Sequence, residues 1–135
     1  MPETKAFIDT NILLYLLSSD DAKANRAESV VRKGGVISVQ VLNEIANVAH
    51  HKLAMQWTEI NAVLDLIRTV CPVMPLTIET HDRGRSIAER YHLNVYDSMI
   101  VAAALLAECT ILYSEDMQDR LLIDKQLRIR NPFGT

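Results

Sequence analysis

Apolar residues along the chain fall into two kinds of run, and the two kinds alternate. Short runs rich in β-branched and aromatic residues predict strands: KAFID (5–9), VIS (36–38), CPVMPL (71–76), TILYSED (110–116) and one or two segments of LLIDKQLRIRNPF (121–133). Longer runs with apolar residues at helical spacing predict helices: NILLYLL (11–17), AKANRAESVVRK (22–33), VQVLNEIANVAHHKL (39–53), a run from about 58, a run from 77 to 91, and SMIVAAALLAEC (98–109). This alternation is typical of an α/β domain with a mainly parallel sheet.

Polar and turn-forming residues mark the ends of several predicted helices. Ser38, Thr77 and the pair Asp20 and Asp21 stand where helices begin, and their side chains can cap free N–H groups. Gly34 and Gly35 follow a basic last turn, which favours the end of a helix there.

The stretch before the last helix is predicted as a loop, HLNVY (92–96), that leads to Asp97. Asp97 is expected to cap the helix 98–109. Because this helix is apolar nearly all round, it is predicted to be buried. Pro72 and Pro75 argue against a central position for the strand that contains them.

Composition bounds the class of protein. A chain of 135 residues, 49% hydrophobic and 23% charged, predicts one globular domain spanning residues 1–135. The net charge of −3 excludes a strong overall basic field for nucleic acid, although a local patch stays open. Cys71 and Cys109 are expected to be free thiols in a reducing compartment. The N-terminus lacks a signal-peptide pattern, and the longest apolar run, 99–107, is too short to span a membrane. A soluble, cytoplasmic protein is expected.

Acidic residues stand at the ends of several elements. Asp9 ends the first strand, and Asp116, beside Glu115, ends the strand 110–116. Asp97 stands at a helix start, and Glu44 lies about one turn into the helix after VIS. Because the carboxyl ends of parallel strands meet at one edge of a sheet, these residues can converge there.

Clustered carboxylates in a partly desolvated cleft repel one another unless a cation neutralises them. An all-oxygen ligand set without a His or Cys cluster selects Mg²⁺ or Mn²⁺, and such ions promote hydrolysis of phosphate esters. A simpler interpretation stays open for each residue. Asp9 and Asp97 can be helix caps alone, and Glu44 can be a solvated helix residue. Glu115 and Asp119 are expected to be surface acids.

Four sequence blocks resemble a PIN domain, and more narrowly the VapC-type toxins of prokaryotic toxin–antitoxin pairs. They cover essentially the whole chain in the order FIDTNILLYLL, ISVQVLNEIANVAHHKL, YDSMIVAAALLAECTILYSEDM and RIRNPF. The resemblance implies a three-layer α/β/α fold and a Mg²⁺-dependent ribonuclease that cleaves single-stranded RNA, with Mn²⁺ as a substitute. It also implies a homodimer inhibited by a small antitoxin.

The resemblance also implies roles for particular residues. The acidic catalytic and metal-binding positions of the family are matched by Asp9, Glu44, Asp97 and Asp116. Asn11 and Ser114 match polar positions that support the site. No acidic position is missing, which favours an active enzyme.

Other functions and roles stay open at this level. A phosphatase of the haloacid dehalogenase type would need a second Asp where Asn11 stands. A non-catalytic PIN-like binding module and a stand-alone housekeeping nuclease remain alternatives. Basic residues of the second half can contact phosphates or form solvated faces: Arg83, Arg85, Arg90, Arg120, Lys125, Arg128 and Arg130. The four histidines, His50, His51, His81 and His92, show no zinc-binding spacing. An apolar helix face is predicted to be mainly core: Trp57, Ile60, Leu64 and Ile67.

Overall fold

The computed structural model describes residues 5–133 and confirms an α/β fold. The strands are β1 (Ala6–Ile8), β2 (Ile37–Ser38), β3 (Val73–Met74), β4 (Ile111–Tyr113), β5 (Leu122–Ile123) and β6 (Leu127–Arg130). The helices are α1 (Thr10–Leu14), α2 (Asp21–Arg32), α3 (Val39–His51), α4 (Trp57–Val70), α5 (Ile78–Tyr91) and α6 (Val95–Leu106), and a 3-10 turn (Tyr15–Leu17) follows α1. The prediction of one domain over 1–135 stays a prediction, since residues 1–4 and 134–135 lie outside the described residues, and the prediction about the N-terminal sequence falls partly on them.

The sheet is mainly parallel, as predicted. Its main part has the order β1-β4-β6-β5, in which only the β5–β6 pair is antiparallel. Strands β2 and β3 form a second parallel pair, and a parallel bridge from Phe7 to Val36 continues the sheet from β1 towards it. The helices and the sheet together are consistent with the three-layer α/β/α architecture that the resemblance implies. The carboxyl ends of β1 and β4 therefore lie side by side.

The core is built from small and branched aliphatic side chains, as the scarcity of aromatic residues predicts. Helix α6 is at its centre, because every residue from Ser98 to Leu105 is buried. Cys71 and Cys109 are buried free thiols, as predicted, and burial raises the pKa of Cys109 to about 11. Among the helices of residues 5–133, none has both the length and the hydrophobicity needed to cross a bilayer.

Most predicted element ends are confirmed within one or two residues. Asp20 caps α2 by accepting the Lys23 N–H, and Thr77 caps α5 by accepting the Thr80 N–H. Gly34 has a φ of 92°, a conformation that glycine adopts without strain. Ser38 precedes α3 but makes no capping hydrogen bond through its side chain.

The two C-terminal strands form a hairpin with a two-residue turn. Asp124 and Lys125 both have positive φ angles, 51° and 58°, and Gln126 N donates to Ile123 O at 3.0 Å. Positive φ angles at both central residues are typical of a type I′ turn, whose twist matches that of the two strands it joins. The hairpin places β6 beside β4, so that Ser114 N donates to Arg130 O at 3.0 Å.

Candidate active site

Asp9 lies where β1 ends and α1 begins, and it is only 3% exposed. Its backbone N–H donates to Tyr113 O of the neighbouring strand at 2.9 Å. Its Oδ1 accepts the Thr10 N–H at 2.7 Å, so Asp9 caps α1 as the simpler interpretation predicted. Its Oδ2 accepts the Ser114 hydroxyl at 2.8 Å. The cap therefore occupies one oxygen, while the other takes part in a network between strands.

Asn11 joins two of the predicted acidic positions. Its Nδ2 donates to Asp9 Oδ2 at 3.2 Å and to Asp116 Oδ2 at 3.0 Å. Its Oδ1 accepts the Glu115 N–H at 3.2 Å, which fixes the direction in which the amide points. Asp116 is separated from the end of β4 by Ser114 and Glu115. The chain therefore leaves the strand earlier than TILYSED predicts, and this bend turns the Ser114 hydroxyl onto Asp9.

Glu44 lies on α3 and is held by two neutral donors. Thr10 Oγ1 donates to Glu44 Oε1 at 2.7 Å, and Gln40 Nε2 donates to Glu44 Oε2 at 2.9 Å. Gln40 is one helical turn before Glu44, the spacing at which side chains of one helix meet. The half-buried Glu44 side chain is therefore directed by its neighbours and is not a freely solvated helix residue.

Asp97 does not cap α6, and the prediction that it does is wrong. The helix begins at Val95 inside the predicted loop HLNVY, and Asn94 is its cap, with Oδ1 accepting the Asp97 N–H at 2.8 Å. Asn94 Nδ2 donates in turn to Asp97 Oδ2 at 2.9 Å. Asn caps helices as well as Asp does, and an apolar Val95 does not prevent an earlier start. Asp97 therefore lies in the first turn, where the helix dipole favours a negative charge.

The four predicted carboxylates line one open pocket of about 340 Å³. Its remaining lining consists of Thr10, Asn11, Leu14, Asn47, Val48 and Lys52. Sequence reasoning did not single out Thr10, Asn47 or Lys52. Thr10 stands between Asp9 and Asn11, while Asn47 and Lys52 follow Glu44 by about one and two helical turns, so helical spacing was the signal that could have identified them.

Burial and mutual repulsion perturb two of these carboxylates. Burial raises the pKa of Asp9 to about 7, against hydrogen bonds from Ser114 and Thr10 that lower it; the charges of Asp97 and Glu44 raise it further. Burial also raises the pKa of Asp97, and the charges of Glu44 and Asp116 add to this effect. Negative charge in the pocket is thus only partly compensated by protein groups, which is the condition that a bound cation relieves.

The donor set fits a hard divalent cation. Only oxygen ligands are offered by the four acidic side chains, as Mg²⁺ and Mn²⁺ prefer. Within residues 5–133, however, no three His, Cys, Asp or Glu side chains lie close enough together to form a ready ligand shell. Asn11 Nδ2 stands between Asp9 and Asp116 and donates to both. The pocket therefore offers the oxygen ligands that these cations prefer. The Asn11 amide directs its partly positive NH₂ group at Asp9 and Asp116.

Other predicted candidates lie outside this pocket. Several of the basic residues pair with acids elsewhere: Arg83 and Arg90 with Asp124, Arg85 with Asp82, and Arg120 and Arg130 with Asp119. His50 and His51 are exposed, and the His50 ring packs against the rings of His51 and Trp57. Trp57 is 51% exposed, whereas Ile60 and Ile67 on the same helix are buried, so that face is mainly core.

Glu115 is not a solvated surface acid. It pairs with Lys23 at 2.9 Å, and the Tyr15 hydroxyl donates to its Oε1. Although burial alone raises the pKa of Glu115, the hydrogen bonds from Tyr15 and Lys23 outweigh it and lower that pKa overall. Glu115 therefore stays ionised beside Asp116.

Comparison with solved structures gives close matches in fold at low sequence identity. A toxin–antitoxin complex from Klebsiella pneumoniae matches with a TM-score of 0.73 and 21% identity, over 97% of this chain and 100% of that chain. DNA-bound VapBC from Salmonella typhimurium gives 0.70 and 17%, over 96% and 99%. The VapC20 toxin of Mycobacterium tuberculosis, which cleaves the sarcin–ricin loop, gives 0.68 and 18%, over 83% and 90%. At these identities the likeness shows a shared fold.

Sequence comparison with curated proteins found no match. The sequence nevertheless matches the family described as the PIN domain over residues 6–121, from the start of β1 to the residue before β5. This range contains all four carboxylates of the pocket, together with Asn11 and Ser114. The chain belongs to the PIN domain family.

Proposed function

We propose that this protein is a Mg²⁺-dependent endoribonuclease that cleaves phosphodiester bonds of single-stranded RNA, and that it is the toxin of a toxin–antitoxin pair. The observation that carries the proposal is the pocket lined by Asp9, Glu44, Asp97 and Asp116, because none of these four acids forms a salt bridge with a basic side chain of residues 5–133 and Asp9 is buried. Membership of the PIN family and the likeness to toxins of toxin–antitoxin complexes support the same function.

In the proposed reaction the acidic side chains would hold the cation, with Mn²⁺ as a substitute. Asp9 and Asp116 would be the principal ligands, because Asn11 orients both of them. Asp97 adds negative charge from the first turn of α6. Glu44, fixed by Thr10 and Gln40, orients the attacking water by accepting its hydrogen bond. When bound, a divalent cation lowers the pKa of water and stabilises the charge that develops on the phosphodiester.

Lys52 is the residue proposed to contact the RNA backbone. It lies at the end of α3, lines the same pocket as the acids and is exposed. Within residues 5–133 no carboxylate lies within 4.0 Å of its ammonium group. An ammonium free of a protein partner at the edge of an acidic pocket can bind a phosphate next to the bond that is cleaved.

A second copy of this chain is the proposed partner in a homodimer, and a small antitoxin is the proposed inhibitor. An apolar cleft of about 660 Å³ adjoins the acidic pocket through Gln40, and several residues lining it are exposed: Leu76, Ile78, Val95 and Tyr96. Ile78 is 77% exposed and Tyr96 is 67% exposed. Large exposed apolar groups that lie together are typical of protein interfaces.

Sequencing of RNA ends after brief expression tests the proposed function, with Asp9→Asn expressed in parallel. Discrete new RNA ends should accumulate with the wild-type protein and be absent with the variant. The purified protein should cut the same sites in Mg²⁺ and lose this activity in EDTA.

Three other results would each replace all or part of the proposal. Cleavage that persists in EDTA would exclude the metal mechanism. Tight RNA binding without cleavage in Mg²⁺ or Mn²⁺ would indicate a non-catalytic PIN-like module. Efficient cutting without any growth defect or copurifying small protein would instead favour a stand-alone nuclease.

A further inference from the structure

A network of charged and aromatic side chains holds the residue that precedes Asp116. Lys23 Nζ of α2 lies 2.9 Å from Glu115 Oε2 and 3.0 Å from the Tyr15 hydroxyl oxygen. The Tyr15 hydroxyl donates to Glu115 Oε1 at 2.5 Å. Both carboxylate oxygens of Glu115 are thus bound by neighbours from α2 and the 3-10 turn. Glu115 is not among the residues that line the acidic pocket.

The C-terminal segment holds this network in place. Phe133 packs edge-on against Tyr15 with ring centroids 4.8 Å apart, and Lys23 Nζ lies 4.6 Å and 5.3 Å from the centroids of the Tyr15 and Phe133 rings. Arg26 Nε donates to Pro132 O at 2.7 Å, which ties the segment to α2. Two aromatic rings and an ion pair therefore confine Lys23, although its side chain is 37% exposed.

The network reaches the acidic pocket through one backbone group. The N–H of Glu115 donates to Asn11 Oδ1, and the same amide donates through Nδ2 to Asp9 and Asp116. Since an amide can exchange its two ends by rotation, the Glu115 N–H selects the orientation that directs Nδ2 at the acids. Movement of Glu115 would displace both this N–H and the adjoining Asp116.

We infer that Lys23, Tyr15 and Glu115 are positioning residues that act on the cation site through Asn11 and Asp116. The inference rests on the proposed function, because it assigns these residues a part in cation binding. Side chains that orient metal ligands without touching the metal typically change metal affinity by about 10- to 100-fold when removed.

Lys23→Met distinguishes a positioning role of Lys23 from a purely electrostatic one, because the two roles predict opposite changes in cation affinity. Loss of a positive charge near a cation site strengthens cation binding if charge alone matters. If the network positions the ligands, loss of the contact between Lys23 and Glu115 weakens cation binding instead. We expect Mn²⁺ affinity, measured by calorimetry and by the electron paramagnetic resonance of free Mn²⁺, to fall about tenfold in Lys23→Met. Tyr15→Phe should weaken Mn²⁺ binding less than Lys23→Met does, and Lys23→Arg should retain most of the wild-type affinity.

Two control variants complete the test. Lys52→Met removes a cation that lines the pocket without holding a ligand, so it should leave Mn²⁺ binding unchanged or tighter. Arg90→Met breaks a comparable ion pair with Asp124 and should lower stability without changing Mn²⁺ affinity. Unchanged or tighter Mn²⁺ binding in a folded Lys23→Met would overturn the inference. Failure of the wild type itself to bind Mn²⁺ would instead overturn the proposed function.

Discussion

Asp9→Asn is expected to stabilise the protein in the absence of metal, because the wild-type carboxyl is an ionisable group in a buried position. Burial, with the charges of Asp97 and Glu44, raises the pKa of Asp9 to about 7 from its usual 3.8. At about 1.4 kcal/mol per pH unit, ionisation of Asp9 in the folded state costs about 4 kcal/mol. The amide avoids this cost, but its nitrogen cannot accept the two bonds that Asn11 and the Ser114 hydroxyl donate to Asp9 Oδ2, each worth about 1 kcal/mol. The variant should therefore be more stable by about 2 kcal/mol at pH 8.

The pH dependence of this difference follows from proton linkage. Between about pH 4 and pH 7 the folded protein holds a proton on Asp9 that the unfolded chain releases. Wild-type stability attributable to this group is therefore greatest below the unfolded pKa and is lost as pH rises through about 7. The variant has no such proton, so its advantage should grow from pH 4 to 7 and then level off.

Urea unfolding followed by circular dichroism, at pH 5 and pH 8 in EDTA, measures these quantities. Asp65→Asn, the same change at an exposed position of α4, is the control and should leave stability unaltered at both pH values. Mg²⁺ at 100 times its Kd should add about 3 kcal/mol to the wild type and less to the variant, which removes the difference at pH 8. A variant that is less stable than wild type at pH 8 in EDTA would refute the argument from burial. Equal stabilisation of both proteins by Mg²⁺ would refute a ligand role for Asp9.

Further predictions concern activity, capping and assembly. Asp97→Asn should abolish RNA cleavage while its melting curve stays close to that of wild type, because the cap of α6 is Asn94; undiminished cutting would remove Asp97 from the active set. Asn94→Ala should cost about 1 kcal/mol in urea unfolding through loss of that cap, and no change would contradict the capping role. Lys52→Met should raise KM for RNA severalfold with a smaller effect on kcat; a KM equal to that of wild type would exclude the phosphate contact. Ile78→Asp should convert a dimer to a monomer in sedimentation analysis, since it places a charge in an exposed apolar cleft; a persistent dimer would require another interface.

Local patterns accounted for much of the fold because they depend on neighbours in the chain. Alternating periodicity predicted the order of strands and helices, and short polar side chains identified the caps at Asp20 and Thr77. The start of α6 was misplaced because Asn94 and Asp97 are both good caps, and Val95 and Tyr96 between them carry no strong helix signal. Packing of the helix against the sheet decides between two such starts.

The sequence by itself determined the α/β class, the buried last helix and the place of Asp9 between β1 and α1, since each follows from composition and spacing. Only the tertiary structure decided which groups surround the acidic residues. Thr10 with Glu44, and Lys23 with Glu115, are 34 and 92 positions apart in the chain. Such pairs form when strands and helices from distant segments pack together, and neither residue carries a local signal of its partner. The desolvation that raises the pKa of Asp9 has the same origin, because burial is a property of the assembled core.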